Sequence, residues 1–117
     1  MSDKKTEKNS KDYSYIAELI SIELLQLEGV SCFADVGITG AIKNTVFRRD
    51  SYFKGIVIAS EDDMLDIWLY INVYFGINIP QLSYDIQSHI KNIVEEKTKE
   101  KIKAINVIVQ GIDKTKE

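Results

Sequence analysis

The chain has 117 residues, 44% hydrophobic and 28% charged, a size and composition that suit one globular domain with its own core and exclude a low-complexity chain. Its formal net charge of −3 and pI near 5.2 exclude a global basic field for nucleic acid or anionic lipid, so any such contact is local. No window approaches an apolar span, the one cysteine cannot form an internal disulfide, and no apolar run with a small-residue cleavage site follows the lysine-rich start; a cytoplasmic protein is expected.

Residues 1–12 hold no aliphatic side chain after Met1 and are rich in charge, so a flexible tail is expected before a single domain over residues 13–112. From Ser14, read as an N-cap, residues 15–28 have helical spacing, with Ile16, Leu19, Ile20, Leu24 and Leu27 on one broad face. Tyr15, Ile22 and Leu25 form a narrower stripe nearly opposite. Gly29 closes this helix, and residues 30–34 read as a short strand in which Cys32 is a small buried hydrophobe. Residues 38–47 have room for a short helix with Ile42 and Val46 on one side. A basic and aromatic loop follows: Lys43, Arg48, Arg49 and Lys54, interleaved with Phe47, Tyr52 and Phe53, are candidates for contact with an anion or a membrane surface.

Residues 55–59 read as a strand, and Glu61, Asp62 and Asp63 as the polar turn of a hairpin. In the next strand Leu65, Ile67, Leu69, Ile71, Val73 and Phe75 alternate with Asp66, Trp68, Tyr70, Asn72 and Tyr74, the period of a strand with one face on a core. Gly76 breaks the pattern. Asn78 then supplies an N-cap, Gln81 the other half of a capping box, and Pro80 a first-turn residue whose missing N–H is not needed. The helix stripe is Ile79, Leu82, Ile86, Ile90, Ile93 and Val94, and the charge run over residues 95–103 includes an i,i+4 pair of Glu95 with Lys99. Residues 102–110 resume a period of two as a final strand, followed by a flexible tail at 113–117. The expected fold is α+β, a two-layer sandwich in the order α-β-β-β-α-β. It has a mixed sheet, both long helices on one face, and the strand from Leu65 parallel to the strand from Ile102.

The residues that carry chemistry are sparse. One histidine and one cysteine, far apart in sequence, give no metal-ligand spacing, and His89 lies on the flank of the helix stripe without a motif-linked nucleophile. Glu61, Asp62, Asp63 and Asp66 lack the spacing of a calcium loop, and there is no P-loop or Gly-x-Gly-x-x-Gly. A non-enzymatic protein with no cofactor and no metal is expected. What stands out is one sheet face, on which Trp68, Tyr70 and Tyr74 are joined by Ile108 of the last strand as a candidate protein-interaction face. Stacking of single-stranded RNA fits it less well, because that face carries Asp66 and its central strand has no lysine or arginine.

The run YINVYFGINIPQLSYDIQSHIKNIVEE followed by KIKAINVIVQGI resembles the alkaline shock protein family of Gram-positive bacteria. The signals are Phe75-Gly76, Ile79-Pro80 and the terminal run from Ile105 through Asn106, Val107, Ile108, Val109 and Gln110 to Gly111, with Gly29, Gly40 and Gly55 in fitting places. Two positions depart from the family pattern. Thr98 is followed by Lys99 where a Thr-Gly pair is usual, and Ile108 stands where a polar residue is common. The resemblance implies no established enzymatic activity and a stress-associated role in cell-envelope homeostasis. It also implies that some members are held at the membrane by an integral-membrane partner and that others are encoded beside lipid-synthesis genes, so an integral-membrane protein or a lipid-synthesis enzyme is the expected partner. The expected function is accordingly that of an interaction protein acting by self-association as a homo-oligomer and by binding a protein partner. Regulation of a fatty-acid or membrane-lipid synthesis enzyme is the first alternative and an RNA-binding module the second.

Overall fold

A computed structural model describes residues 13–34 and 49–114, with backbone only for Arg49–Phe53. Helix α1 (Ser14–Leu24) is followed by strands β1 (Val30–Phe33), β2 (Arg49–Phe53), β3 (Ile56–Glu61) and β4 (Met64–Tyr74), then helix α2 (Ile79–Lys97) and strand β5 (Ile102–Asp113). The α+β architecture expected from the sequence is present, with one difference. Residues 49–53, read as part of a loop, form β2, an edge strand paired antiparallel with β3. The short helix expected over residues 38–47 and both flexible tails, apart from Asp113 and Lys114, lie outside the described residues.

Strand β4 lies at the centre of the sheet. One edge runs parallel to β5 from Leu65↔Ile102 to Tyr74↔Asp113, so β5 continues past Gln110, where the sequence pattern stops. The other edge is shared. β3 pairs with its first half, from Glu61↔Met64 to Ile56↔Leu69, and β1 with its second half, Val30↔Val73 to Phe33↔Ile71. The exchange falls at Tyr70, whose N–H donates to the Gly55 carbonyl at 2.8 Å and whose carbonyl accepts from the Ala34 N–H at 2.8 Å. β3 and β1 thus stand end to end.

Period-two burial along β4 follows from this placement: Leu65, Ile67, Leu69, Ile71 and Val73 are buried in one cluster with Ile16, Ala17, Ile20 and Leu24 of α1 and Leu82, Ile86, Ile90 and Val94 of α2. Both helices therefore cover the same sheet face. Helix α1 is shorter than its spacing suggests, because Gln26 and Leu27 donate to carbonyls three residues back and Gly29, at φ 107°, turns the chain into β1. Its N-cap is Tyr13 rather than Ser14, without a side-chain capping bond; the Tyr13 ring lies in the core and its carbonyl accepts from Ile16 and Ala17.

Helix α2 starts at the cap its sequence specifies, with Asn78 Oδ1 accepting from Gln81 N–H at 3.1 Å, but the other half of the expected capping box is not made: the Gln81 side chain donates forward to Asp85 Oδ1 at 2.9 Å. Its end shows what replaces the usual glycine. Thr98 is extended, its hydroxyl donates to the Val94 carbonyl at 2.7 Å and accepts from Glu100 N–H, and Glu95 accepts the Ile102 N–H at 2.9 Å. The β3–β4 turn asks for more than polarity: Asp62 and Asp63 both have positive φ, 54° and 64°, the conformation of a type I′ hairpin.

Gly55 is the least replaceable residue of this frame. At φ 77°, a Cβ would sit 2.8 Å from Phe33 Cβ and 2.9 Å from the Tyr70 carbonyl oxygen, and that backbone cannot yield without breaking the exchange on β4. Gly55→Ala is expected to destabilise the fold by about 2–4 kcal/mol, measured by urea unfolding. Asp63→Gly, which relieves a left-handed side chain, is expected to stabilise it by up to about 1 kcal/mol on the same assay.

Candidate protein-interaction face

Strand pairing decides what stands on the sheet face away from the helices. Trp68 is opposite Val57 on β3 and Asn106 on β5, and Tyr70 is opposite Ile108. Val57 and Tyr70 form a second, small apolar cluster, with Ala34, Trp68 and Ile108 packed against it. This face is less open than the sequence suggests: Tyr70 is 8% exposed and Val57 1%, whereas Trp68, Tyr74 and Ile108 are half-buried. Tyr70 therefore acts as the floor of the patch, and Trp68 and Ile108 form its accessible part. Asn106 borders the patch, its Nδ2 donating to Asp66 Oδ1 at 3.2 Å and to the Ile67 carbonyl at 3.0 Å, so β4 and β5 are stapled on this side.

Val57 is the member that residue patterns missed. The run 55–59 reads as apolar throughout, but the two-residue turn at Asp62 and Asp63 sets the register that puts Val57 opposite Trp68. Cys32, expected to be buried, is exposed. An irregularity in β1 between Val30 and Cys32 pairs Cys32 with Asn72, a residue of the outer face, rather than with a core-facing one.

The basic group is not assembled by the described residues. Lys43 and Arg48 lie outside them, Arg49 begins β2 with its side chain undescribed, and Lys54 is exposed in the β2–β3 turn. His89 has a structural contact, its Nε2 standing 2.9 Å from Glu23 Oε1 and linking α2 to α1. Two further apolar groups reach the surface. Tyr15, Ile22 and Leu25, the second stripe of α1, are exposed, and Phe75 and Ile112 line a depression of about 410 Å³ with Asp113 and Lys114 at the ends of β4 and β5. Among the described residues no helix is long and apolar enough to cross a membrane, and no three metal-binding side chains converge.

Residues 2–114 match the model of the alkaline shock protein (ASP23) family, described as having a cell envelope-related function. The chain belongs to the alkaline shock protein family. It is 29% identical over 112 residues to the uncharacterized protein Spy1614 of Streptococcus pyogenes, covering 89% of this chain and 91% of the relative. It is 26% identical over 90 residues to the uncharacterized protein YloU of Bacillus subtilis, covering 71% of this chain and 73% of that one. A third relative, the uncharacterized protein YqhY of Bacillus subtilis, is 27% identical over 97 residues, 83% of this chain and 70% of its own. No solved structure matches.

In this family domain, burial pushes the Tyr70 phenol above its ordinary pKa of 10.0. The unfolded chain then loses this proton at lower pH than the folded one, so the contribution is intact below pH 10 and declines as pH rises above it. Tyr70→Phe should flatten the fall of folding stability on the alkaline side, read as urea midpoints on either side of pH 10.

Proposed function

We propose that this domain is a non-enzymatic, stress-associated interaction protein of cell-envelope homeostasis, acting on the cytoplasmic side by self-association and by docking a protein partner on its outer sheet face. The observation that carries this reading is the Val57–Tyr70 cluster. A second apolar core on the face opposite the helices presents the indole of Trp68 and the side chain of Ile108 at its rim, and aromatic residues over a dry floor are the usual anchors of protein contacts. The envelope-related description of the family supports the cellular setting. Asp66 beside the patch disfavours a nucleic-acid backbone and leaves a protein surface as the better match. The partner is an integral-membrane protein that recruits the domain; an enzyme of membrane-lipid synthesis is the second reading.

Trp68→Ala and Ile108→Asp test the face, because both side chains are half-buried and neither contributes to the helix-covered core. Each should weaken capture of the partner at least about tenfold, in line with loss of an interface anchor, while far-UV circular dichroism is unchanged. Identification of the captured species separates an integral-membrane protein from a lipid-synthesis enzyme. Recovery of RNA, or capture that both variants leave unaltered, would overturn the proposal.

A further inference from the structure

Strand β5 borders the sheet, and the direction of its hydrogen bonds can be read from its neighbour. Tyr70 of β4 bonds toward β3 and β1, whereas Leu65 N–H bonds the Lys101 carbonyl on the β5 side, so the odd-numbered residues of β4 serve β5. In a parallel ladder only one member of each facing pair bonds across it, so the residues paired with Ile67, Leu69 and Ile71 point their main-chain groups outward. These are Ile105, Val107 and Val109. Two bonds from side chains agree: Ile102 N–H donates outward to Glu95, and the Ile105 carbonyl accepts outward from Gln87 at 3.0 Å. No described residue bonds the outward N–H or carbonyl of Val107 or Val109.

Beyond the side-chain bonds to Ile102 and Ile105, this edge lacks the usual protection. Residues 104–109, Ala-Ile-Asn-Val-Ile-Val, carry no charge, proline or glycine, whereas the opposite edge strand β2 begins with Arg49 and Asp50. Val107 and Val109 pack on the main core yet stay half-exposed, and Ile108 is half-exposed on the other face, so the edge has accessible apolar side chains above and below it.

We propose that β5 is the seat of self-association, with a second copy of this chain adding its own β5 antiparallel about a two-fold axis at Val107. The inference deepens the self-association part of the proposed function and is independent of the outer-face patch. About six main-chain hydrogen bonds would form, from Val107 with its counterpart and from Ile105 with Val109 in both directions, two of them to Ile105 carbonyls that would accept beside or in place of Gln87. Charge favours this occupant and this register: the same axis sets Lys101 opposite Asp113 of the second copy at each end. The residues skipped in pairing with β4, Lys103 and Gln110, fall on opposite strands at each end, so their extra lengths cancel. The joined sheet would place the two outer faces side by side.

The test uses the full chain. Sedimentation velocity over a wide concentration series should show a monomer–dimer equilibrium, and amide exchange by NMR should show Val107 and Val109 N–H groups becoming protected as concentration rises. Val107→Pro removes an N–H that the fold does not use and should weaken dimerisation about 100-fold with circular dichroism unchanged. Lys101→Glu should weaken it about fivefold, and adding Asp113→Lys should restore it to within about twofold. Concentration-independent exchange at Val107 and Val109, or a dimer indifferent to both Val107→Pro and Lys101→Glu, would overturn the proposal; should Val107→Pro unfold, the exchange and charge-reversal results decide. A dimer lost in Trp68→Ala but kept in Val107→Pro places self-association on the outer face and refutes the edge alone. Protection of Val107 only when a different protein is added refutes the second copy as occupant.

Discussion

The main-chain exchange at Tyr70 is the constraint on which the rest of this structure depends. A strand of 11 residues has more edge than the six-residue β3 can satisfy, and β1 supplies bonds to the remainder. Buried N–H and carbonyl groups left unpaired would be costly, so the gap between two strands laid end to end has to close within one residue. Gly55 on one side and Ala34 on the other achieve that closure, both bonding the same residue of β4. The close approach of Phe33 to Gly55 explains why a side chain has no place there.

That backbone arrangement also divides the domain into two apolar regions of unequal size. Residues of β4 whose main chain serves β5 send their side chains to the helices and into the main core. Those that serve β3 and β1 send theirs to the other face, where Tyr70 is closed over with Val57. Tyr70 thus joins the strand exchange to the outer patch, and its neighbours Trp68 and Ile108 have a fixed floor beneath them. An anchor held on a rigid floor loses little conformational freedom when a partner covers it, which is why this patch suits binding better than Phe75, which is 72% exposed.

Polar side chains complete the frame where glycine or regular pairing is missing. Thr98 and Glu95 cap the end of α2 and the start of β5, doing with a hydroxyl and a carboxylate what a left-handed glycine does at many helix ends. Asn106 ties β5 to Asp66 and to the Ile67 carbonyl, and Ser31 Oγ donates to Asp113 Oδ2 at 2.6 Å near the far end of the strand. β5 is therefore tied by side chains to both β4 and β1, although its outer edge has no strand beside it among the described residues.

Period-two alternation from Leu65, the 3.6-residue stripe from Ile79 and the cap at Asn78 were legible from residue order, and so was the parallel return of the last strand. The first three are local signals within one element, which short-range sterics and hydrophobic spacing suffice to specify, whereas the parallel return followed from the strand–helix–strand order. The sequence also singled out Trp68, Tyr70, Tyr74 and Ile108 as sharing a face. Their burial was not legible, because it depends on what lies opposite: Val57 reaches Trp68 only through the register of a tight turn, and Tyr70 is covered only in the folded chain. The same holds for β2, whose polar sequence became a strand because β3 offered it an edge, and for Cys32, turned outward by an irregularity in β1. Periodicity assigned the elements and their inner faces; pairing partners, being non-local, decided which edge each strand occupies and which outer residues remain accessible.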